Sequence, residues 1–407
     1  MSSRWTWRQY AVFRVLFGVY LLVHFLQLLP WASELFSSGG MLPVASASPF
    51  IGVWPNLLAW FDSPLVVVSL IGSGVVGALL IIAGRFDRFA AVWLWFVLAC
   101  LFGRNPLIAN PSLPVVGWML LFHALLPRPQ EAWEAQTRVA ASLPRLHVIA
   151  AWFLLAVAYS YSGWTKLFSD AWLQGETVRW VLENPLARDT WLRTALLETP
   201  AWLLNSVTLG ILLLELLFVL LALSARLRPW IWLGMLAVQF GFLTLLNFAD
   251  LTIPMLLLHL LTFDPKWLPA RSAATVGTIY YDGECGLCHA SIRFVLAEDQ
   301  QSLFRFSPLQ GDVGRRDLPE LADAPDFDSF IVVTPDGQRL EKFVAVRYVL
   351  NALGGVWRML AWLLRCVPTP VGNFGYSLVA RHRQRFFVKP DGLCPIMPRE
   401  FAMRFEG

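Results

Sequence analysis

The sequence predicts a polytopic α-helical membrane domain followed by a soluble α/β domain, and three observations carry that prediction. The chain of 407 residues is 57% hydrophobic and only 15% charged, where soluble domains carry about a quarter charged residues. The deficit is uneven. Residues 10–263 are almost continuously apolar, whereas 264–407 hold ordinary charge clusters such as Asp312-Val-Gly-Arg-Arg-Asp and Arg381-His-Arg-Gln-Arg. Beyond that change the chain opens on a short β-branched and aromatic run, Val276–Tyr281. The expected division is a membrane domain over 1–267 and a second domain over 268–407.

A spanning helix needs ~20 apolar residues. Candidate segments lie at about 10–30, 64–84, 89–103, 113–127, 147–165, 201–223, 229–247 and 251–263, the third, fourth and last being short. The first is not read as a cleaved signal, because Ala45-Ser-Ala47 lies too far beyond an over-long apolar run. Many of the 20 tryptophans, among them Trp31, Trp164, Trp172, Trp230 and Trp267, sit near segment ends, where amphipathic rings favour the membrane–water interface.

Orientation follows from Lys and Arg in short loops. Arg4 and Arg8 precede the first segment, Arg85 and Arg88 follow the second, Arg128, Arg138 and Arg145 lie between the fourth and fifth, and Arg226 and Arg228 follow the sixth. The loop 31–63 has neither Lys nor Arg, and the loop after the third segment has only Arg104. Alternate basic loops put the N-terminus and, after an even number of crossings, the C-terminal domain in the cytoplasm of a multi-pass plasma (inner) membrane protein. Segment 166–200 departs from this pattern with Lys166, Arg179, Arg188 and Arg193. Its acids and tryptophans make it an expected interfacial helical hairpin.

Ionisable residues inside spans are costly unless paired. His24, His123, Glu215 and His259 fall there, with Lys166 at the end of the fifth segment. A lone His is ordinarily a neutral packing residue, whereas Glu215 within LLLELLF needs a proton or a partner. Lys166 has two readings: a desolvated amine acting as a base, or a side chain snorkelling to the interface.

The soluble half carries the second motif. Val276–Tyr281 reads as a strand ending at Asp282-Gly283, then Cys285 and Cys288, then a helical apolar period through Leu287, Ile292, Val295 and Leu296. Further strands are expected at Leu303–Leu309, Ser329–Thr334 and, after the turn Pro335-Asp336-Gly337, near Arg339–Phe343, with a helix from about Ala345 to Leu353. That β-α-β…β-β-α order, with Cys-x-x-Cys at the first strand–helix junction, predicts a thioredoxin-like α/β domain. A free thiol with a pKa of about 8.5 is mostly un-ionised at neutral pH, and a helix N-terminus stabilises its thiolate. Cys285 is thus the candidate nucleophile and Cys288 the resolving thiol, with Tyr281, Asp282, Gly283 and Gly286 in support. Asp282 relays a proton to Cys288 or caps the turn.

Cys285-Gly-Leu-Cys-His289 also has the form of a c-type haem attachment site. That would require export of the motif, a second axial ligand and room for a macrocycle beside a helix packed on a sheet. Zinc would need two further ligands, and Cys394 is a distant single candidate. The dithiol reading prevails, with no metal. The net charge of +4 is small, and no basic tract with interleaved aromatics points to nucleic acid.

Two resemblances follow from these motifs. Ser162-Gly-x-x-Lys-Leu…Trp172-x-x-Gly175, with NPSLPVVGW at Asn110–Trp118 and the closing DLTIPMLLLHL, resembles the horizontally transferred transmembrane (HTTM) family, which includes the vitamin K-dependent gamma-glutamyl carboxylases. The likeness covers about 5–267. It implies the membrane fold and makes Lys166 the counterpart of a base, with Glu215, Trp172, Gly175 and His259 as accompanying candidates. Pro111 stands where the carboxylases have a histidine, so carboxylation itself is not implied. The stretch YYDGECGLCHASIRFVLAEDQQSLFRFSPLQ, with its Asp-Gly-x-Cys-x-x-Cys, is similar to the DCC family of thiol–disulfide oxidoreductases over about 276–390.

The expectation is a membrane-anchored disulfide reductase acting on a disulfide-containing protein or small thiol. It needs no cofactor for dithiol exchange, and a quinone is the candidate to exchange electrons with its membrane domain. Two alternatives stand beside it: a carboxylase-like membrane enzyme with Lys166 as base and the dithiol domain as accessory, and a redox-sensing assembly factor. The stretch GGVWRMLAWLLRCV, Gly354–Val367, is expected either on the membrane surface or against the oxidoreductase core.

Overall fold

Residues 7–108, 110–127, 143–264, 267, 276–281, 286–299, 301–322, 331–381 and 403–406 are described by the computed structural model. Contacts divide the chain into a helical unit, mainly Tyr10–Pro127 and Leu143–Phe263, and a C-terminal unit that contains Asp264–Gly407.

Helices form at all eight apolar segments of the first unit: α1 (Trp7–Leu28), α2 (Pro64–Ala83), α3 (Asp87–Arg104), α4 (Ser112–Leu125), α5 (Arg145–Lys166), α6 (Ala201–Leu223), α7 (Arg228–Leu245) and α8 (Ala249–Thr262). Their limits are local. Pro64 opens α2, and Pro144 and Pro200 directly precede α5 and α6, where a missing N–H costs nothing. Gly84 ends α2 in the left-handed conformation at φ +67°, which glycine adopts without strain.

Helices of this unit carry apolar side chains on both their buried and their outward sides. On α1, Phe13, Phe17 and Leu21 are buried while Leu16, Val19, Val23 and Leu26 face outward. Among the described residues, four helices are long and apolar enough to cross a membrane: Gln9–Phe36, Pro64–Ala83, Arg145–Lys166 and Ala201–Leu223. The sequence pattern counts eight crossings. The difference lies in length and charge. A 14-residue helix such as α4 or α8 rises about 21 Å, short of a hydrocarbon core of ~30 Å, and α3 includes Asp87, Arg88 and Arg104.

Segment 166–200 folds into three short helices, Asp170–Leu173, Thr177–Glu183 and Trp191–Leu197. It is pinned to the α7–α8 connection: Arg188 N–H donates to the Leu245 carbonyl at 2.7 Å, and Asn247 N–H to that of Leu186 at 2.8 Å.

The C-terminal unit is a small sheet with helices: β1 (Gly277–Tyr281), α9 (Gly286–Glu298), β2 (Phe304–Pro308), β3 (Ile331–Val333), β4 (Arg339–Glu341), α10 (Lys342–Leu353), α11 (Gly355–Leu363) and α12 (Thr369–Arg381). The strand order is β2-β1-β3-β4. β1 and β2 are parallel, whereas β1–β3 and β3–β4 are antiparallel. Side chains alternate across a strand. Ile279, Phe304, Phe306 and Val332 therefore meet Ile292 and Val295 of α9 and Ala345 and Val349 of α10 on one face. Tyr280 and Ile331 meet Leu309 and Leu318 on the other.

The end of the chain returns to this sheet. Phe306 N–H donates to the Arg404 carbonyl at 2.9 Å and Glu406 N–H to that of Phe306 at 2.8 Å. Arg404 is buried, lies over the Phe306 ring at 5.1 Å, and pairs with the buried Asp299 carboxylate. That carboxylate also accepts the N–H groups of Leu303 and Phe304, both at 3.0 Å. Removing one partner of a buried pair strands the other charge, at about 3–5 kcal/mol. Arg404→Ala is accordingly expected to destabilise the C-terminal unit by that amount, read by denaturant-dependent hydrogen exchange at β2. A change under about 1 kcal/mol would mean that Asp299 is held by its two N–H donors alone.

Candidate functional site

The sheet positions the strand–helix junction where the dithiol motif lies. β1 ends at Tyr281, whose side chain is buried in the main core and whose carbonyl accepts the Leu309 N–H at 3.0 Å. β2 runs parallel and ends beside it, Pro308 pairing with Tyr281. β3, running the other way, enters at the same end with Ile331 opposite Tyr280. α9 starts at Gly286, five positions after Tyr281, and is fixed to the sheet by Ile292 and Val295.

Asp282, Gly283 and Cys285 lie outside the described residues, as does Cys394. Gly286 and Cys288 occupy the first and third positions of α9, so the motif's second cysteine lies in the first helical turn. The side chains of Cys288 and His289 are likewise outside the described set. The N–H groups of a helix's first turn have no intrahelical acceptor, and their aligned dipoles favour an anion there. Among the described residues no group of His, Cys, Asp and Glu is placed to hold a metal ion.

On the opposite face of β1, the Tyr280 hydroxyl donates to Asp317 Oδ2 at 2.7 Å. Burial, together with the negative charge of Asp317, raises the phenol's pKa. Hydrogen bonds from Arg316 and then Tyr280 lower that of the Asp317 carboxyl.

In the helical unit, three candidates come together. Lys166 Nζ lies 2.5 Å from both carboxylate oxygens of Glu215 and 4.4 Å from the centre of the Trp172 ring. The ammonium thus turns inward to α6 rather than out to the interface. The approach of α5 to α6 depends on Gly163, where a Cβ would sit 2.8 Å from the Leu216 nitrogen. The Ser160 hydroxyl donates to the Glu215 carbonyl at 3.2 Å and accepts the Val219 N–H at 3.2 Å. Gly175, at φ +82°, packs on Asn205 of α6. His259 is apart from this group. Its Nε2 lies 2.8 Å from the Tyr159 hydroxyl, which accepts from Gln239 at 3.1 Å, and its ring meets Trp232 edge-on at 5.1 Å.

Sequence reasoning missed a second polar cluster. Asp250, at the start of α8, accepts the Tyr20 hydroxyl at 2.7 Å and the Asn110 amide at 2.8 Å, and His24 Nδ1 lies 3.0 Å away. Asn110 and Asp250 each open a stretch that carries the membrane-family likeness, but only His24 was singled out as a buried ionisable group, because Asp250 sits just outside the last apolar run. The cluster borders a cavity of about 430 Å³ lined by His24, Asp250, Gln27, Arg188 and Asn247 among apolar side chains. A second cavity of about 300 Å³, lined by Trp54, Trp95 and Trp118, shares Leu98, Phe102 and Leu113 with the first. A third cluster joins His123 to Tyr10 at 2.6 Å and to Asp87 at 3.2 Å.

Residues 279–389 match the family model of the DCC1-like thiol–disulfide oxidoreductases. The chain is similar to the uncharacterized protein YuxK of Bacillus subtilis (strain 168), 35% identical over 128 residues that make up 31% of this chain and 91% of that one. It is also similar to a chloroplastic DCC family protein of Arabidopsis thaliana, 31% identical over 111 residues, 27% of this chain and 64% of the relative. No solved structure matches the chain.

Proposed function

The chain belongs, through its C-terminal part, to the DCC1-like thiol–disulfide oxidoreductases, and from that premise we propose that it is a membrane-anchored disulfide reductase working with Cys285 and Cys288. The observation that supports this reading is that β1 ends at Tyr281 and α9 begins at Gly286, so that Cys288 falls in the first turn of α9. The Cys285 thiolate attacks a substrate disulfide, and one substrate thiol leaves with a proton. The Cys288 thiolate then attacks the Cys285 sulfur, releasing the second thiol and closing the Cys285–Cys288 disulfide. Two electrons and two protons pass to the substrate. The strand order supports a thioredoxin-like framework for this step, with the domain boundary near residue 267.

The helical unit is the anchor, and the likeness of its Ser162–Gly175 motif supports an HTTM-type fold. The basic loops support cytoplasmic placement of both the N-terminus and the dithiol domain. Two structural facts favour that count. Arg104 is fully buried and paired with Asp62 at 3.1 Å, so it is not a free loop charge. In the exceptional segment 166–200, the Arg188 and Arg193 side chains each donate to a backbone carbonyl.

The test uses the reduced full chain in lipid vesicles with glutathione disulfide as substrate. One disulfide is reduced per chain in a single turnover. Absence of any exchange leaves the redox-sensing or assembly reading instead.

The two adjoining cavities support coupling to a lipid-soluble quinol: the quinol gives two electrons and two protons to the Cys285–Cys288 disulfide that substrate reduction leaves, restoring the dithiol and becoming the quinone. Oxidation of an added short-chain quinol by the disulfide form that proceeds unchanged in Cys285→Ser would refute the coupling while leaving the reductase reading intact. The Lys166–Glu215–Trp172 cluster favours one further reading, in which membrane-domain chemistry is primary and the dithiol domain is accessory. Activity that survives Cys285→Ser but not Lys166→Ala would select it.

A further inference from the structure

Helices α11 and α12 carry an inverted pattern. In a soluble domain the large apolar side chains of a surface helix turn inward. On α12 the side packed against α10 is small or polar: Gly372, where a Cβ would collide with the Phe343 ring, Asn373, whose amide oxygen accepts the Phe343 N–H at 3.3 Å, and buried Ala380. The outward side holds Val371, Phe374 and Leu378, at helical spacing, and Val379. α11 buries Val356, Trp357 and Ala361 but exposes Leu360, Trp362 and Leu363. Trp362 and Phe374 are 69% and 70% exposed, Leu363 64%.

Charge identifies what covers this face. Residues 359–381 contain the exposed Arg365 and Arg381 and neither Asp nor Glu. A second copy of the chain meeting this face about a two-fold axis would set arginine against arginine with no acid to relieve them. An anionic lipid surface instead accepts both cations, at about 1 kcal/mol each near the headgroups. It also takes the exposed Trp, Phe and Leu side chains below the headgroup level, as interfacial helices do.

We propose that α11 and α12 form a membrane-surface docking face through which the dithiol domain lies on an anionic leaflet. This rests on the reading of the chain as membrane-anchored, which brings the domain within reach of such a surface. It adds a second, reversible attachment whose strength depends on lipid charge and salt.

The experiment is hydrogen exchange of the full chain in vesicles of phosphatidylcholine alone and of phosphatidylcholine with about a third phosphatidylglycerol, at low and high salt. The expected result is exchange in α11 and α12 slower by about tenfold in the anionic vesicles, reversed by high salt, with α9 and β1 unchanged. The combined Arg365→Gln, Arg381→Gln variant loses the lipid dependence. Exchange that is equally slow in both lipids means that protein, the chain's own helices or a second copy, covers the face, and it overturns the proposal. Equally fast exchange in both overturns it too. Alkaline carbonate extraction of the same vesicles separates the two readings: a chain stripped from the bilayer overturns the anchoring and this inference together. A chain that resists extraction but exchanges independently of lipid overturns only this inference.

Discussion

Cys285→Ser is expected to lower disulfide reduction by the full chain at least about a thousandfold, because a serine hydroxyl is essentially un-ionised at neutral pH and cannot replace a thiolate. Cys288→Ser behaves differently. The attack by Cys285 still proceeds, but nothing resolves the product, and the substrate accumulates as a stable mixed disulfide with Cys285. Non-reducing mass measurement after exposure to glutathione disulfide reads both outcomes: no adduct on the first variant, and one glutathione per chain on the second. A Cys285→Ser chain that retains full rate would remove the dithiol from the reaction. Adducts of equal yield on both variants would mean that the two thiols have no division of labour.

Glu215→Ala destabilises the helical unit by about 3–5 kcal/mol, because Lys166 then keeps a charge inside the bundle with no acceptor. Glu215 is buried and Lys166 only slightly exposed, and the two carboxylate oxygens are shared by one ammonium. Replacing both together, Lys166→Met with Glu215→Leu, removes the stranded charge and restores most of the stability, since a buried ion pair exchanged for packed apolar groups is close to neutral. Thermal unfolding of the full chain in detergent measures both. A double variant as unstable as the single one would mean that Glu215 matters through packing against Gly163 and Ser160 rather than through its charge. If the double variant is stable yet inactive in a membrane-domain assay while Cys285→Ser is active, the pair carries chemistry as well as structure.

Much of the fold was legible because it is locally encoded. Val276–Tyr281 and Leu303–Leu309 read as strands from β-branched and aromatic runs and form β1 and β2 within a residue or two of those limits. Pro335-Asp336-Gly337 turns β3 into β4 as its composition requires, with Thr334 N–H donating to the Gln338 carbonyl at 3.0 Å. The expected interfacial segment 166–200 is helical as read, in three pieces rather than a hairpin. The number of crossings was less legible. Hydropathy marks a segment as apolar whether it spans a bilayer or fills the middle of a bundle, and α4 and α8 are too short for length to decide.

For the candidate site, the Cys-x-x-Cys spacing and its place between a strand and a helix can be read without coordinates, because they depend on a dozen consecutive residues. Lys166 and Glu215 were each singled out by the cost of burying a charge, but nothing in the sequence joined them. Asp250 was passed over because it stands beside an apolar run rather than inside one. Arg404 looked like one more basic residue near the chain's end. It is in fact the buried partner of Asp299, 105 positions away.

By itself, then, the sequence determined where the chain is apolar, where helices and strands begin and end, and where the dithiol lies. These are consequences of hydropathy, of periods of 2 and 3.6, and of proline and glycine geometry, all of which act over a few residues. Only the tertiary structure decided which polar groups meet: Lys166 with Glu215, Asp250 with Tyr20 and Asn110, and Arg404 with Asp299. It also decided that α11 and α12 turn their large apolar side chains outward. The reason is physical. Burial demands that a charge or a polar group find a partner, but the demand carries no address, and the address is set by which helices and strands pack side by side.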